Sequence, residues 1–303
     1  MMNKLILLTI SVMLFLQISC DNKFEKSEAD SINAGELTIY CDEAIYQAMD
    51  STFKMYQSAY PNINFDYKVV DAREVMNMIL SGQAEAVIVS RNYLPDEDSL
   101  MTEFDVQRTE MIAAEDALVF YVSRDFPLDT INHEQLVEIL TTQKSFKEFY
   151  PQVSFEPEFV CNSRRSAEYA NFLELVLGGN KLTKKVSLLN GVDSVKTYVY
   201  DNKNAIGIGY LSHVIRKANW KVLRVSYINK EGKREPPQIV HQSYIVQNRY
   251  PYIVRYRVLI QESTMSRAFW FASYVSKESI VQTYFKDLGI VPGFAQFKLI
   301  KQD

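Results

Sequence analysis

The sequence predicts an α/β protein of two units, each a mostly parallel sheet flanked by helices. Strand-like and helix-like segments alternate from Gly35 onward. The strand runs are short and apolar, as strands buried on both faces are. A chain of 303 residues, 47% hydrophobic and 13% aromatic, can also bury a sizeable core shared between about two domains.

"ELTIYC" (36–41) reads as a first strand, and "EAIYQAMDSTFKMYQSAY" as a helix with Ile45, Ala48, Met49, Phe53, Met55 and Tyr56 on one apolar face. A turn at Pro61-Asn62 leads to a strand from Ile63 to Val70. Asp71 can then cap a helix, "AREVMNMILSG", that ends at Gly82. "EAVIVS" is the next buried strand. This β-α-β-α-β order implies parallel pairing, and a ligand would sit in the loops at the carboxyl ends of the strands: Cys41-Asp42, Val70-Asp71 and Ser90-Arg91.

"DALVFYVS" (116–123) is a further strand, and "NHEQLVEILTT" a helix starting near Asn132, where a second α/β unit begins. There "SFEPEFVC" reads as a strand, "SAEYANFLELVLGG" as an amphipathic helix closed by Gly178-Gly179, and "SVKTYVYDN" as a helical or mixed segment. "NAIGIGYLSH" supplies a turn and a strand, and "WKVLRVSYI" another strand. "NKEGKREPPQ" reads as a charged, proline-containing surface loop. "RYRVLIQE" resumes as a strand before "SRAFWFASYVSKESIVQTYFKDLG", a long amphipathic helix or helix pair. There is no internal repeat.

The N-terminus points to export. "MMNKLILLTISVMLFLQISCDN" carries Lys4, then an apolar run of about 12 residues, shorter than the roughly 20 of a spanning helix and suited to a signal peptide. "ISC" resembles a bacterial lipobox, with Gln17 where leucine is usual, so residues 1–19 are expected to be removed and Cys20 lipidated. Residues 20–35 would then form a polar tether to the membrane. Plain secretion is the alternative.

With 33 basic against 37 acidic residues and a net charge of −4, no global field draws the chain to nucleic acid, and any anion site must be local. His133, His213 and His241 lie far apart, with no metal-ligand spacing. No metal or cofactor is called for. Cys41 and Cys161 are read as half-buried free thiols. No nucleophile elbow, P-loop or dinucleotide-binding glycine pattern occurs, and the chain is read as non-enzymatic.

Seven stretches, in order, resemble the phosphate-binding, PstS-like branch of the periplasmic solute-binding proteins: "GELTIYCDEA", "ILSGQAEAVIVSRNYLPDED", "AAEDALVFYVS", "TINHEQLVEILT", "NAIGIGYLS", "YPYIVRYRVLI" and "DLGIVPG". They span about Gly35 to Gly293. The resemblance implies a two-lobed fold joined by a hinge, with residues 36–120 plus 240–303 as lobe 1 and 121–239 as lobe 2, closing on a small anion, most simply phosphate, for a membrane transport complex.

The family holds phosphate with an arginine and, four residues later, "SGT" at a helix N-terminus. Here Asn162 falls on the arginine position and Ser166-Ala167-Glu168 on "SGT". The serine is kept, Ala167 keeps a backbone donor, and Glu168 puts a negative charge where a hydroxyl stood. Arg164 and Arg165 are near enough in sequence to stand in for the arginine. Arg91, after its strand, is a natural anion partner, and Ser90 and Ser166 lie at element ends in the matched register. Asp42 or Asp71 can accept the proton of a protonated oxyanion.

Each residue also has a plainer reading. For Arg91, Arg164 and Arg165 it is solvated surface or a lobe-to-lobe ion pair, and for Arg165 this is preferred. For Asp71 it is N-capping, and Tyr40 and Tyr210 read as packing residues. The competing functional reading is an envelope scaffold or sensor lipoprotein that keeps the fold without binding phosphate. Glu168 favours it.

Overall fold

The computed structural model describes residues 34–294 apart from 106–108, 143, 216 and 262–265. Cys20, the signal segment and most of the tether lie outside the described residues.

Lobe 1 begins with β1 (Gly35–Asp42), α1 (Glu43–Ala59), β2 (Ile63–Val70), α2 (Ala72–Leu80), β3 (Ala86–Val89) and α3 (Pro95–Glu103). Both β1–β2 and β1–β3 pair in parallel. Two acidic caps start the first helices: the Asp42 carboxylate accepts the Ala44 N–H at 3.1 Å, and Asp71 accepts that of Glu74 at 2.9 Å. Helix α3 carries few apolar residues, so periodicity hides it. Pro95 at its start and Asp96, Glu97 and Asp98 in its first turn suit a helix N-terminus.

The long strand β4 (Thr109–Ser123) leads into β5 (Thr130–Asn132), α4 (His133–Thr141), α5 (Phe146–Phe149), β6 (Glu158–Asn162) and α6 (Ala167–Asn171). Helix α6 runs on into a π-helical turn over Phe172–Val176. Next come β7 (Val186–Leu189), α7 (Val192–Asp201), β8 (Ala205–Tyr210), α8 (Leu211–Val214), β9 (Trp220–Val222), β10 (Arg224–Ile228) and β11 (Arg234–Gln238). The chain closes with α9 (Gln242–Val246), β12 (Ile253–Ile260), α10 (Arg267–Lys277), α11 (Ser279–Leu288) and β13 (Val291–Pro292).

The main sheet runs β2-β1-β3-β12-β4-β8-β6-β7. Strand β4 joins its two halves. Its residues Thr109 to Ala117 pair antiparallel with β12, and Leu118 to Val122 pair with β8, so one strand carries hydrogen bonds into both lobes. In the second half β6 pairs in parallel with β7 and β8. The carboxyl ends of β1 and β3 from one lobe therefore face those of β6 and β8 from the other.

Two elements differ from the sequence expectation. "REPPQ" is not a loop but β11, the edge of a three-stranded β11-β10-β5 sheet. At an edge, one of the adjacent Pro236 and Pro237 faces the open side, where its missing N–H costs no ladder bond, and the pair falls at the register shift between Val225 and Tyr227, where the ladder is already broken. "WKVLRVSYI" breaks at Leu223, with β9 on the main sheet and β10 on the small one. The last helical stretch is the helix pair of the two expected alternatives, divided at Glu278. Cys41 and Cys161 are free, and they are fully buried rather than half-buried.

Candidate functional site

The strand ends of the two lobes meet at one buried polar point. Asp42 ends β1 and has no exposed surface. Its carboxylate accepts the Ser90 N–H at 3.2 Å and the Ser90 hydroxyl at 2.6 Å, besides its own helix cap. Ser90 in turn reaches across the lobes, with its Oγ 3.0 Å from the Tyr210 hydroxyl. Asn171, on α6, donates its amide to the Ser90 carbonyl and to the Tyr210 oxygen, both at 2.7 Å.

Tyr210 and His213 carry interlobe bonds that the sequence reading missed. The Tyr210 N–H donates to His213 Nδ1, which leaves Nε2 as the protonated nitrogen, donating to the Ala44 carbonyl at 2.6 Å. Burial, its first cause, lowers the His213 pKa to about 4, so the ring is neutral there. Position was the available signal. Tyr210 ends the "GIGY" strand, at the carboxyl edge where the sequence reading already placed a ligand.

Beside this point lies Glu168, 1% exposed. Burial first, then the nearby Asp42 carboxylate, raises its pKa to about 8. Burial also raises Asp42 to about 6, against hydrogen bonds from Ser90 and Ala44 that favour its charged form. Asn162, in the arginine position, donates Nδ2 to Glu43 at 2.8 Å and lies 3.4 Å from Glu168. Its Oδ1 accepts the N–H groups of Ser163 and Gly191. Three carboxyl groups, from Asp42, Glu43 and Glu168, thus crowd the strand-end seat.

The arginines are engaged elsewhere. Arg91, with 1% of its side chain exposed, makes a two-pronged pair with Glu97, 2.7 Å on each arm, and donates to the Asn92 and Ala72 carbonyls. Glu97 also takes Arg73 at 2.6 Å and the Leu94 N–H at 2.9 Å. Arg165 forms a lobe-to-lobe ion pair with Asp71 at 2.8 Å and Glu74 at 3.2 Å. Asp71 is therefore both cap and ion-pair partner. Arg164 is exposed. Ser166 caps α6, its hydroxyl accepting the Tyr169 N–H at 3.2 Å, and Ala167 is buried beneath it.

The structure thus brings Asp42, Ser90 and Glu168 together between the lobes, with Ser166 and Ala167 at the start of the helix that carries Glu168, while Asp71 is taken by Arg165 and Arg164 is exposed. Both cysteine thiols are pushed well up by burial and so stay protonated. Among the described residues, no group of three or more His, Cys, Asp or Glu is placed to hold a metal ion. No described helix is long and apolar enough to cross a membrane.

Residues 26–278 match the PBP superfamily domain. The chain belongs to the PBP superfamily. The solved structures it resembles share its fold at low identity. One is a protein from Clostridium perfringens named as a phosphate ABC transporter substrate-binding protein, with phosphate bound. It shows a TM-score of 0.71 and 15% identity over 85% of this chain and 99% of that one. An ABC-type phosphate transport receptor from Vibrio cholerae gives 0.65 and 18%, over 84% of this chain and 99% of that one. PstS from Borrelia burgdorferi gives 0.54 and 17%, over 85% and 98%. No curated protein matches the sequence. Within this superfamily, two lobes joined by shared strands and meeting at their strand ends are the fold that the chain adopts.

Proposed function

We propose that the protein is an exported, non-enzymatic solute-binding protein of the cell envelope, lipid-anchored at Cys20, that closes its lobes over a small anion and presents the closed form to a membrane uptake complex. The lobes are taken as residues 36–120 plus 240–303 and residues 121–239. One observation carries this reading: β4 runs unbroken through both lobes, and side chains from both sides meet at the strand ends, the geometry of a closing clamp.

Phosphate is the ligand named for the similar structures, and it is the first candidate here. At neutral pH Glu168 is protonated, and the charge that opposes the dianion at this seat is that of Asp42, ionised above about pH 6. An ionised carboxylate at about 4 Å costs about 4 kcal/mol per phosphate charge at an effective dielectric near 20, and Arg91 is spent on Glu97. That observation favours the second reading, a scaffold or sensor that keeps the fold and binds no solute.

Thermal-shift titration of the full chain with phosphate, sulfate and a panel of small organic acids separates the two. A ligand at a hundred times its Kd adds about 2.7 kcal/mol to the folded state, a rise in Tm of roughly 5–10 °C for lobes of this size. If no anion moves Tm, the solute-binding reading gives way to the scaffold.

A further inference from the structure

We infer that a short organic carboxylate binds in the cavity on the hinge side of the Ser90–Asn171 contact, a placement that rests on the solute-binding reading and gives the solute an address away from Glu168. The cavity measures about 220 Å³ and is walled by the Ser90-Arg91-Asn92 loop of one lobe, Asn171 and Leu175 of the other, and strand β12. That volume is the liquid share of about seven waters, roomy for a small acid and too small for a peptide.

Charge selects the ligand class. Arg91, Arg255 and Arg257 all line this cavity, and among the described residues no carboxylate does. Their acidic partners sit behind them: Glu97 on Arg91, Glu115 on Arg255 at 2.9 Å, and Glu110 on Arg257 at 2.5 Å. A fourth acid, Glu174, holds the Asn92 amide at 2.6 Å. The four terminal N–H groups of Arg91 go to Glu97 and backbone carbonyls, so its contribution here is mainly its field.

Arg255 supplies the donors. It bonds Glu115 only through Nε, and its two terminal nitrogens have no hydrogen-bond partner among the described residues. Those paired N–H groups match the two oxygens of a carboxylate. Arg257 is tied to Asn92 Oδ1 at 2.7 Å, which fixes the loop that carries Arg91. Leu175 and Ile253 form an apolar wall that a carbon chain can cover and an inorganic oxyanion cannot. Both lobes contribute, so an occupant adds contacts to the closed form.

Calorimetric titration of the full chain with malonate and with inorganic phosphate, on wild type, Arg255→Gln and Glu168→Gln, tests this. The Arg255 side chain is 51% exposed, so its replacement leaves the core intact, and an unchanged Tm without ligand confirms folding. Malonate should bind wild type more tightly than phosphate does, weaken about tenfold or more in Arg255→Gln, and be unchanged in Glu168→Gln. Arg255→Lys, keeping charge without the fork, should lose most of that factor. Malonate binding that survives Arg255→Gln but changes in Glu168→Gln would return the solute to the strand-end seat, overturning this placement and leaving the solute-binding reading intact. Tighter binding of phosphate overturns the carboxylate class. Failure of malonate alone overturns the inference, and failure of every anion in the wider panel overturns the solute-binding reading as well.

Discussion

Replacing Glu168 by Gln should flatten the dependence of stability on pH between 6.5 and 8. In the folded protein the Glu168 pKa rises from 4.5 to about 8, so across that interval the folded state holds a proton that the unfolded chain releases. Its contribution is fully present below the unfolded value and lost as pH climbs through the folded one. Asp42, raised from 3.8 to about 6, acts with the same sign and is mostly titrated by pH 6.5. His213, lowered from 6.5 to about 4, acts with the opposite sign: stability rises until the unfolded imidazole has lost its proton, which is half done at pH 6.5 and adds roughly 0.4 kcal/mol beyond it. From 6.5 to 8 Glu168 makes the largest of the three changes. A window of about one and a half pH units at about 1.4 kcal/mol per unit gives a loss of about 2 kcal/mol, or roughly 4–8 °C in Tm. Denaturant titrations at constant salt across this range, on wild type and Glu168→Gln, measure it. Equal wild-type stability at both ends, or the same slope in the variant, would refute a neutral, buried Glu168 at the interlobe seat.

Gly207→Ala should cost about 1–3 kcal/mol, read by chemical denaturation, because a Cβ on β8 would lie 2.5 Å from the Tyr121 ring, which is itself buried on β4. An unchanged midpoint would mean that the ring can yield. Cys20→Ser should abolish incorporation of labelled fatty acid and release the protein from the membrane fraction. Retention of label would place any lipid on another residue.

Much of the fold was legible because it rests on local rules. The parallel strands announce themselves as short apolar runs, and Asp71 and Asn132 mark helix starts with side chains that accept an N–H within their own first turn. Segments whose pattern is set by neighbours were harder to read. The prolines of β11 look like loop until an edge position and a register shift make their missing donors harmless, and α3 lacks the apolar stripe that would reveal it.

At the site, the sequence by itself determined which residues stand at the strand and helix ends: Asp42, Ser90, Asn162, and Ser166 through Glu168. It also determined that one carboxylate replaces a hydroxyl in the matched motif. Only the tertiary structure decided where the charges go. Arg91 turns to Glu97, six residues on but in a different element, and Arg165 reaches Asp71 across the lobes. Tyr210 makes an interlobe bond rather than only packing, and His213 makes another. A side chain's residue type fixes what it can donate or accept, whereas its partner is whichever group the fold brings within about 3 Å, and across the lobes that is set by pairing between segments far apart in the chain.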